Sequence, residues 1–327
     1  MSRAAVPPPV TAVIDAGGSW LPRQLGAVER RLELLSRGHG ALLAEDATAT
    51  LSAGGKRLRP LLVLLCSGPG GGEPAVRAGA AIELVHMATL VHDDVLDGAP
   101  LRRGLPTVAA SSGRQRATAT GDLLFAQAFA LLAEGGDGRA VELLSDASLA
   151  LARGELAQRR DAFDATISEQ RYLERCRLKT ARLFECACLI GNATAVEPAG
   201  EAQLRAFGAE VGLAFQLLDD VLDVTGPPAR TGKARGTDLL DGTVTLPMIL
   251  AGRREPSLLE VDLRSLDPAG AEELCKRIAA TGALQEVRSR ALEMVAAAKR
   301  GLEGDGFDPE QRRLLALVAD GVVERYS

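Results

Sequence analysis

Residues Ala78–Gly98, AGAAIELVHMATLVHDDVLDG, decide how the rest of the chain is read. The run is largely apolar apart from Glu83, His86, His92 and the closing carboxylates Asp93, Asp94 and Asp97, and after Gly79 it holds neither Gly nor Pro until Gly98. That pattern predicts a buried helix ending near Gly98. Residues four or seven apart share a helix face, which aligns His86, Asp93 and Asp97. Three carboxylates closing an apolar helix repel one another and lose hydration. A divalent cation removes that penalty. Oxygen-only ligands point to Mg2+, a hard ion that keeps waters and shares its shell with phosphate oxygens.

The pentapeptide DDVLD occurs twice. Asp219, Asp220 and Asp223 repeat it after the apolar run EVGLAFQLL, and an alanine stands five residues before the first Asp in each copy, Ala88 and Ala214. One copy alone reads as a solvated helix end. Two such helices facing each other place six carboxylates around one cavity.

The composition of this 327-residue chain is 46% apolar with only one Trp, two Tyr and seven Phe, so Leu, Ala and Val must build the core, and helix is favoured over strand. The expected architecture is all-α: a single large helical bundle around a central cavity, residues 19–327, after a disordered lead-in at 1–18 that contains Pro7-Pro8-Pro9. A net charge of −5 without a basic run argues against nucleic acid as a partner. No uncharged apolar stretch reaches the roughly 18 residues of a membrane span. Five cysteines without CxxC spacing fit reduced, buried thiols and a cytoplasmic location rather than a zinc site. Only five of the 38 basic residues are lysines, at 56, 179, 233, 276 and 299, which marks each as a candidate for a compact point charge.

Further motifs carry chemistry along the chain. In LSAGGKRLRP, residues 51–60, a glycine turn precedes Lys56, Arg57 and Arg59 at a helix start, a cradle suited to diphosphate. Arg102 and Arg103 follow the first DDVLD closely enough to neutralise it, or to form a structural salt bridge with it. Gly121-Asp122 suggests close helix packing with one polar group to satisfy, and GELAQ offers Glu155 and Gln158 as interior polar groups. Lys179-Thr180 lies within a long helix that Ser168 caps, and Gln216 stands one turn before Asp219. Residues 225–247, TGPPARTGKARGTDLLDGTVTLP, suit a lid over an anion. The helices beyond Pro247 carry no chemical signal.

Taken in order, ATLVHDDVLDGAPLRRG, FQLLDDVLD, GGKRLRP, GD at 121–122, KT at 179–180 and GKARGTDL make the chain resemble the trans-isoprenyl (polyprenyl) diphosphate synthases, all-α prenyltransferases of isoprenoid biosynthesis. The resemblance spans about Leu51 to Pro247. It implies head-to-tail condensation of isopentenyl diphosphate with an allylic diphosphate. Asp93, Asp94, Asp97, Asp219, Asp220 and Asp223 would hold three Mg2+ ions. Lys56, Arg59, His86 and Arg103, with Arg57 assisting, match the isopentenyl diphosphate contacts, and Arg102, Lys179, Thr180, Gln216 and Lys233 match the allylic side. It also implies a homodimer. One departure stands out: Thr243 occupies the position after Gly242 where the family usually has a lysine.

Product length follows from the central helix. Val85, Ala88 and Thr89 lie one and two turns before Asp93, where short-chain members of the resembled family tend to place an aromatic floor. Here both near positions are small, and a helical turn rises about 5.4 Å, roughly one isoprene unit. The expected product is of geranylgeranyl length or longer, with Phe125 and Phe129 as a deeper stop. Two alternatives remain open at this point: a class I terpene cyclase on the same fold, or a non-catalytic partner subunit of a prenyl synthase.

Overall fold

Helix α5, Gly72–Asp97, runs through the interior of the protein and contains the whole of the apolar stretch that precedes the first DDVLD. The structure is a computed structural model describing residues 8–38, 41–52, 55, 57–102, 104–226, 235–304 and 306–324. Ala80, Ala81, Ile82, Val85 and Ala88 of α5 are fully buried. The helix is apolar on all sides because it is packed on all sides. Pro69–Asp97 contains an 18-residue window apolar enough to cross a membrane by composition, yet 72% of that window is buried within the protein, which makes this a core helix.

Around α5 stand α2 (Trp20–Arg37), α4 (Leu58–Ser67), α7 (Arg114–Glu134) and α10 (Arg182–Ala193), each packed against it. Helix α3 (Ala41–Ser52) lies against α2 and α7, and the short α6 (Val108–Ser112) leads into α7. Helix α8 (Gly138–Arg160) packs on α7 and α10, and α11 (Glu201–Thr225), which ends in the second DDVLD, packs on α10. Beyond it come α12 (Thr237–Leu240), α13 (Leu246–Arg254), α14 (Pro268–Ala280), α15 (Ala283–Gly301) and α16 (Pro309–Glu324). The buried residues of these helices form one connected core. The architecture is the all-α bundle expected, with one small exception among the described residues: β1 (Leu101–Arg102) pairs antiparallel with β2 (Leu105–Pro106).

Two further departures have physical causes. Residues 8–18 are not the disordered lead-in expected over 1–18; Pro8–Ala16 forms helix α1, and residues 1–7 lie outside the described residues. Proline is tolerated in the first helical turn, where its missing N–H has no partner in any case, and Val10 and Val13 are buried. Arg313 of α16 donates to the Ala16 carbonyl at 3.0 Å, so the far end of the chain holds α1 in place. The long helix expected after Ser168 is interrupted. Ser168 does cap α9 (Glu169–Cys176), its Oγ accepting the Arg171 N–H, but residues Arg177–Ala181 form a π turn before α10 resumes.

Candidate active site

The first acidic cluster sits at the C-terminal end of α5, where the helix already presents unsatisfied carbonyls and the negative end of its dipole. Gly98 closes the helix with φ 62°. Each carboxylate there meets a cation. Arg102 forks onto Asp94 Oδ1 through Nε at 2.8 Å and Nη2 at 2.7 Å. The β1–β2 hairpin turns Arg102 back onto the helix, and Thr107 Oγ1 ties its base to the Ala99 carbonyl at 2.7 Å. Arg159, in the last turn of α8, donates to Asp97 Oδ1. Lys179 Nζ stands 3.9 Å from Asp93 Oδ2 and 2.5 Å from Glu155 Oε2.

The second cluster closes α11. Asp220 is only 2% exposed, and both of its oxygens are engaged: Tyr172 Oη donates to Oδ2 and Gln216 Nε2 donates to Oδ1 at 2.7 Å. Asp219 is exposed and Asp223 half-buried. The Asp238 backbone N–H donates to Asp223 Oδ2 at 3.3 Å, and the Gly236 N–H to its carbonyl, which docks the start of α12 beside the cluster.

The π turn joins the two clusters. Lys179 reaches Asp93, while its neighbour Thr180 donates through Oγ1 to Gln216 Oε1 at 2.7 Å, and Gln216 in turn donates to Asp220. Adjacent residues therefore face both acidic groups across one site. A π turn inserts one residue into the helical register, and such bulges gather at functional sites. Glycines on the flanking helices admit it. A Cβ at Gly154 would come within 2.7 Å of the Lys179 backbone nitrogen, and one at Gly212 within 2.8 Å of the Ala181 Cα.

Charge is concentrated here. Burial, reinforced by Glu155 and Asp97 and opposed by Lys179 and Arg102, pushes the Asp93 carboxyl up to about 6. Asp220 is pushed up to about 8 by burial and by Asp238 and Asp219, although Tyr172 and Gln216 pull the other way. For Lys179 burial opposes the charge, but Asp93 and Glu155 overcome it and raise the ammonium above its ordinary value. Carboxyls held this far up keep their protons more readily than ordinary ones because the protein does not fully neutralise their charged forms, and an all-oxygen donor set of this kind fits a divalent cation that would do so. Among the described residues no three acidic, His or Cys groups are already drawn around one point. An ion would have to draw Asp93 and Asp97 from their present partners.

Residues 41–276 match the polyprenyl synthetase family. The chain belongs to that family. Component 2 of heptaprenyl diphosphate synthase from Geobacillus stearothermophilus is 42% identical over 236 residues, covering 71% of this chain and 74% of the relative. Octaprenyl diphosphate synthase from Escherichia coli is 33% identical over 276 residues, covering 82% and 85%. Among solved structures, the polyprenyl synthase of Caulobacter crescentus, complexed with calcium and isoprenyl diphosphate, superposes with a TM-score of 0.90 at 34% identity, covering 96% of this chain and 98% of that one.

Within this polyprenyl synthetase the remaining predicted residues fall as follows. Arg59 is half-buried with its guanidinium 4.6 Å above the Phe184 ring, and loss of hydration there, against the pull of Glu83, lowers it to about 10. His86 is half-buried two turns before Asp93 on the same face, and Thr89 Oγ1 donates to its carbonyl at 2.7 Å. Val85 and Ala88 are fully buried, Thr89 is half-buried, and Phe125 and Phe129 lie half-buried against the core. Gly121 lets the His92 ring approach α7, where it stacks on Phe125 at 5.8 Å and meets Asp122 at 3.2 Å. Arg57, expected to assist the isopentenyl diphosphate contacts, is engaged by protein groups. Held at φ 50°, it gives Nε and Nη1 to Glu29 and Glu83 at 2.6 and 2.8 Å and Nη2 to Glu29 and the Leu51 carbonyl, so its donors tie the start of α4 to α2 and α5. Lys56, Arg103 and Lys233 lie outside the described residues.

Sequence reasoning missed Tyr172, Arg159, Asp238 and Arg175. Tyr172 stands eight residues before Thr180, two helical turns, which is a usable signal. Arg159 stands one turn after Glu155. Arg175 is buried and donates to the Val244 carbonyl at 2.6 Å, while the Phe163 N–H donates to the Gly242 carbonyl at 2.7 Å, so the Thr243 loop is held through its backbone. Nothing in the sequence pattern points to those contacts.

Proposed function

We propose that the chain joins isopentenyl diphosphate head to tail with an allylic diphosphate, making a product of geranylgeranyl length or longer. The observation that carries this reading is the Lys179–Thr180 pair, which reaches both acidic clusters from one turn. The allylic C–O bond breaks with its electron pair leaving on diphosphate; the isopentenyl double bond attacks the carbocation; a proton is then lost, with the departed diphosphate as base. Lys179 and Arg102, which stand on the first cluster, are the cations that would meet the leaving charge, and preorganised cations act most strongly on the dissociated state. The Thr180 hydroxyl and Gln216 amide present dipoles that steady a carbocation without trapping it. Three Mg2+ ions, the number implied by the resemblance, would supply most of the charge that stabilises the leaving diphosphate. Asp93, Asp97, Asp219 and Asp223 would hold them. Asp94, whose Oδ1 Arg102 grips, and Asp220, both of whose oxygens are engaged by Tyr172 and Gln216, would hold or support them from behind.

The small residues Ala88 and Thr89 support a long product, as do relatives named heptaprenyl and octaprenyl diphosphate synthases. A homodimer is supported by α8, which exposes Leu149 and Leu156 seven residues apart on one face. Five free, buried thiols support a cytoplasmic location. A second reading, that the chain works with another subunit, is favoured by the relatives named component 2. Purified chain, Mg2+, labelled isopentenyl diphosphate and a set of allylic primers test the proposal: chain-elongated label supports it, and label that is recovered only on addition of a second subunit supports the two-component reading.

A further inference from the structure

The charges around the first cluster close into an arch. Lys179 Nζ lies 3.9 Å from Asp93 Oδ2 and 2.5 Å from Glu155 Oε2; Arg159 Nε donates to Glu155 Oε1 at 2.7 Å, and Arg159 Nη2 returns to Asp97 Oδ1 at 2.5 Å. Asp93 and Asp97 are one turn apart on α5, and Glu155 and Arg159 one turn apart on α8, so two helices face each other through matched charges. Nη1 of Arg159 has no partner among the described residues, and the side chain is 38% exposed.

We infer that Arg159 is a further diphosphate-binding residue of the allylic site, held on Asp97 and Glu155 until substrate arrives. The inference rests on the proposed prenyl transfer. A guanidinium is a planar fork that binds carboxylate and phosphate oxygens alike, so donors now on Asp97 serve a diphosphate equally well. Glu155 grips Lys179 and Arg159 together, and the two cations thus stand side by side at the mouth of the acidic end of α5. A cation bound at Asp97 competes with Arg159 for Oδ1 and frees it for the anion that enters with it. The surrounding loop fits this role. Thr243 brings no charge, and the loop carrying it is tied by the Gly242 carbonyl to the N–H of Phe163, four residues beyond Arg159. Arg159 supplies positive charge on that side of the site.

Arg159→Gln, compared with wild type, tests this by three readouts: KM for each substrate, calorimetric binding of inorganic diphosphate with Mg2+, and Mg2+ half-saturation without diphosphate. The expected result is a rise of about tenfold in allylic KM and a matching loss of inorganic diphosphate binding, the size of one charge-assisted contact. Isopentenyl diphosphate KM stays unchanged, Mg2+ half-saturation falls because a competitor is gone, and Arg159→Lys recovers part of the diphosphate binding. Arg159→Met, which keeps the packing of the stem, replaces the Gln variant if that one unfolds. Unchanged inorganic diphosphate binding, or an equal rise in both KM values, overturns the inference. Wild-type chain that binds Mg2+ and inorganic diphosphate but never condenses substrates overturns the proposed function instead.

Discussion

Tyr172 donates its hydroxyl to Asp220 Oδ2 in the interior of the protein, across 48 residues of sequence, with both side chains no more than 2% exposed. This bond fixes the rotamer of the second carboxylate of the second cluster and draws Asp220 toward its charged form. Tyr172→Phe removes one buried hydrogen bond and is expected to cost about 1–3 kcal/mol of stability. It also moves the Asp220 carboxyl further up, so more Mg2+ is needed for half-maximal activity. Chemical denaturation and a Mg2+ titration at fixed pH check both outcomes. A wild-type Mg2+ requirement in a destabilised variant would confine Tyr172 to packing.

The raised carboxyls imply a pH dependence. With Asp220 at about 8 when folded and near its ordinary value of 3.8 when unfolded, the folded state holds the extra proton. Without divalent ion its contribution to stability is therefore fully present below the unfolded value and is lost as pH rises toward 8. Asp93, pushed up to about 6, acts in the same direction over a lower window. An ion that requires the charged forms must displace those protons, so the Mg2+-induced rise in Tm grows from pH 6 to pH 8 and levels off above. Thermal melts with and without Mg2+ across that range check it; an increment independent of pH contradicts the assignment.

Gly154 sets how closely α8 approaches the π turn. In Gly154→Ala the new Cβ meets backbone atoms of Lys179 at 2.7 and 3.0 Å, which no side-chain rotation relieves. The turn must shift, and a displacement of order 1 Å in a positioning element costs up to about a hundredfold in rate. Gly138→Ala, at the start of the same helix with nothing near its Cβ, is the control and leaves kcat unchanged. Steady-state kinetics of the two variants separate the local effect from a general one.

Much of this site is legible in sequence because its parts are local. The DDVLD repeats, GGKRLRP and KT are each defined within one turn of helix or one loop, and helix ends at Gly98 and Ser168 follow from the residues present there. What is not legible is pairing at a distance. That Arg57, a third cation of the expected diphosphate cradle, gives its donors to Glu29 and Glu83, 28 and 26 residues away, is visible only in the fold. The helix at Pro8–Ala16 depends on α16 at the opposite end of the chain. The π turn at Lys179 adds one residue to a register that the hydrophobic period alone reads as continuous, and the glycines that accommodate it lie on two other helices.

Product length turns on the face of α5 above Asp93. Thr89 is half-buried on that face, whereas Ala88 is fully enclosed. Thr89→Phe is the cleaner probe, since an aromatic at Ala88 overpacks the core at a cost of about 1–3 kcal/mol. The expected outcome is a product shorter by at least one isoprene unit, read by chromatography of the dephosphorylated alcohols. An unchanged product distribution places the length determinant elsewhere.

The central claim is that Lys179 and Thr180 bring two acidic clusters to bear on one departing diphosphate. Chromatography of products formed by the purified chain from labelled isopentenyl diphosphate and farnesyl diphosphate with Mg2+, beside Lys179→Met, tests it most directly. The account predicts wild-type label in products of geranylgeranyl length or longer and a loss of about a hundredfold or more in kcat for the variant. Label that stays in isopentenyl diphosphate for both proteins, or a variant that elongates at the wild-type rate, would contradict it.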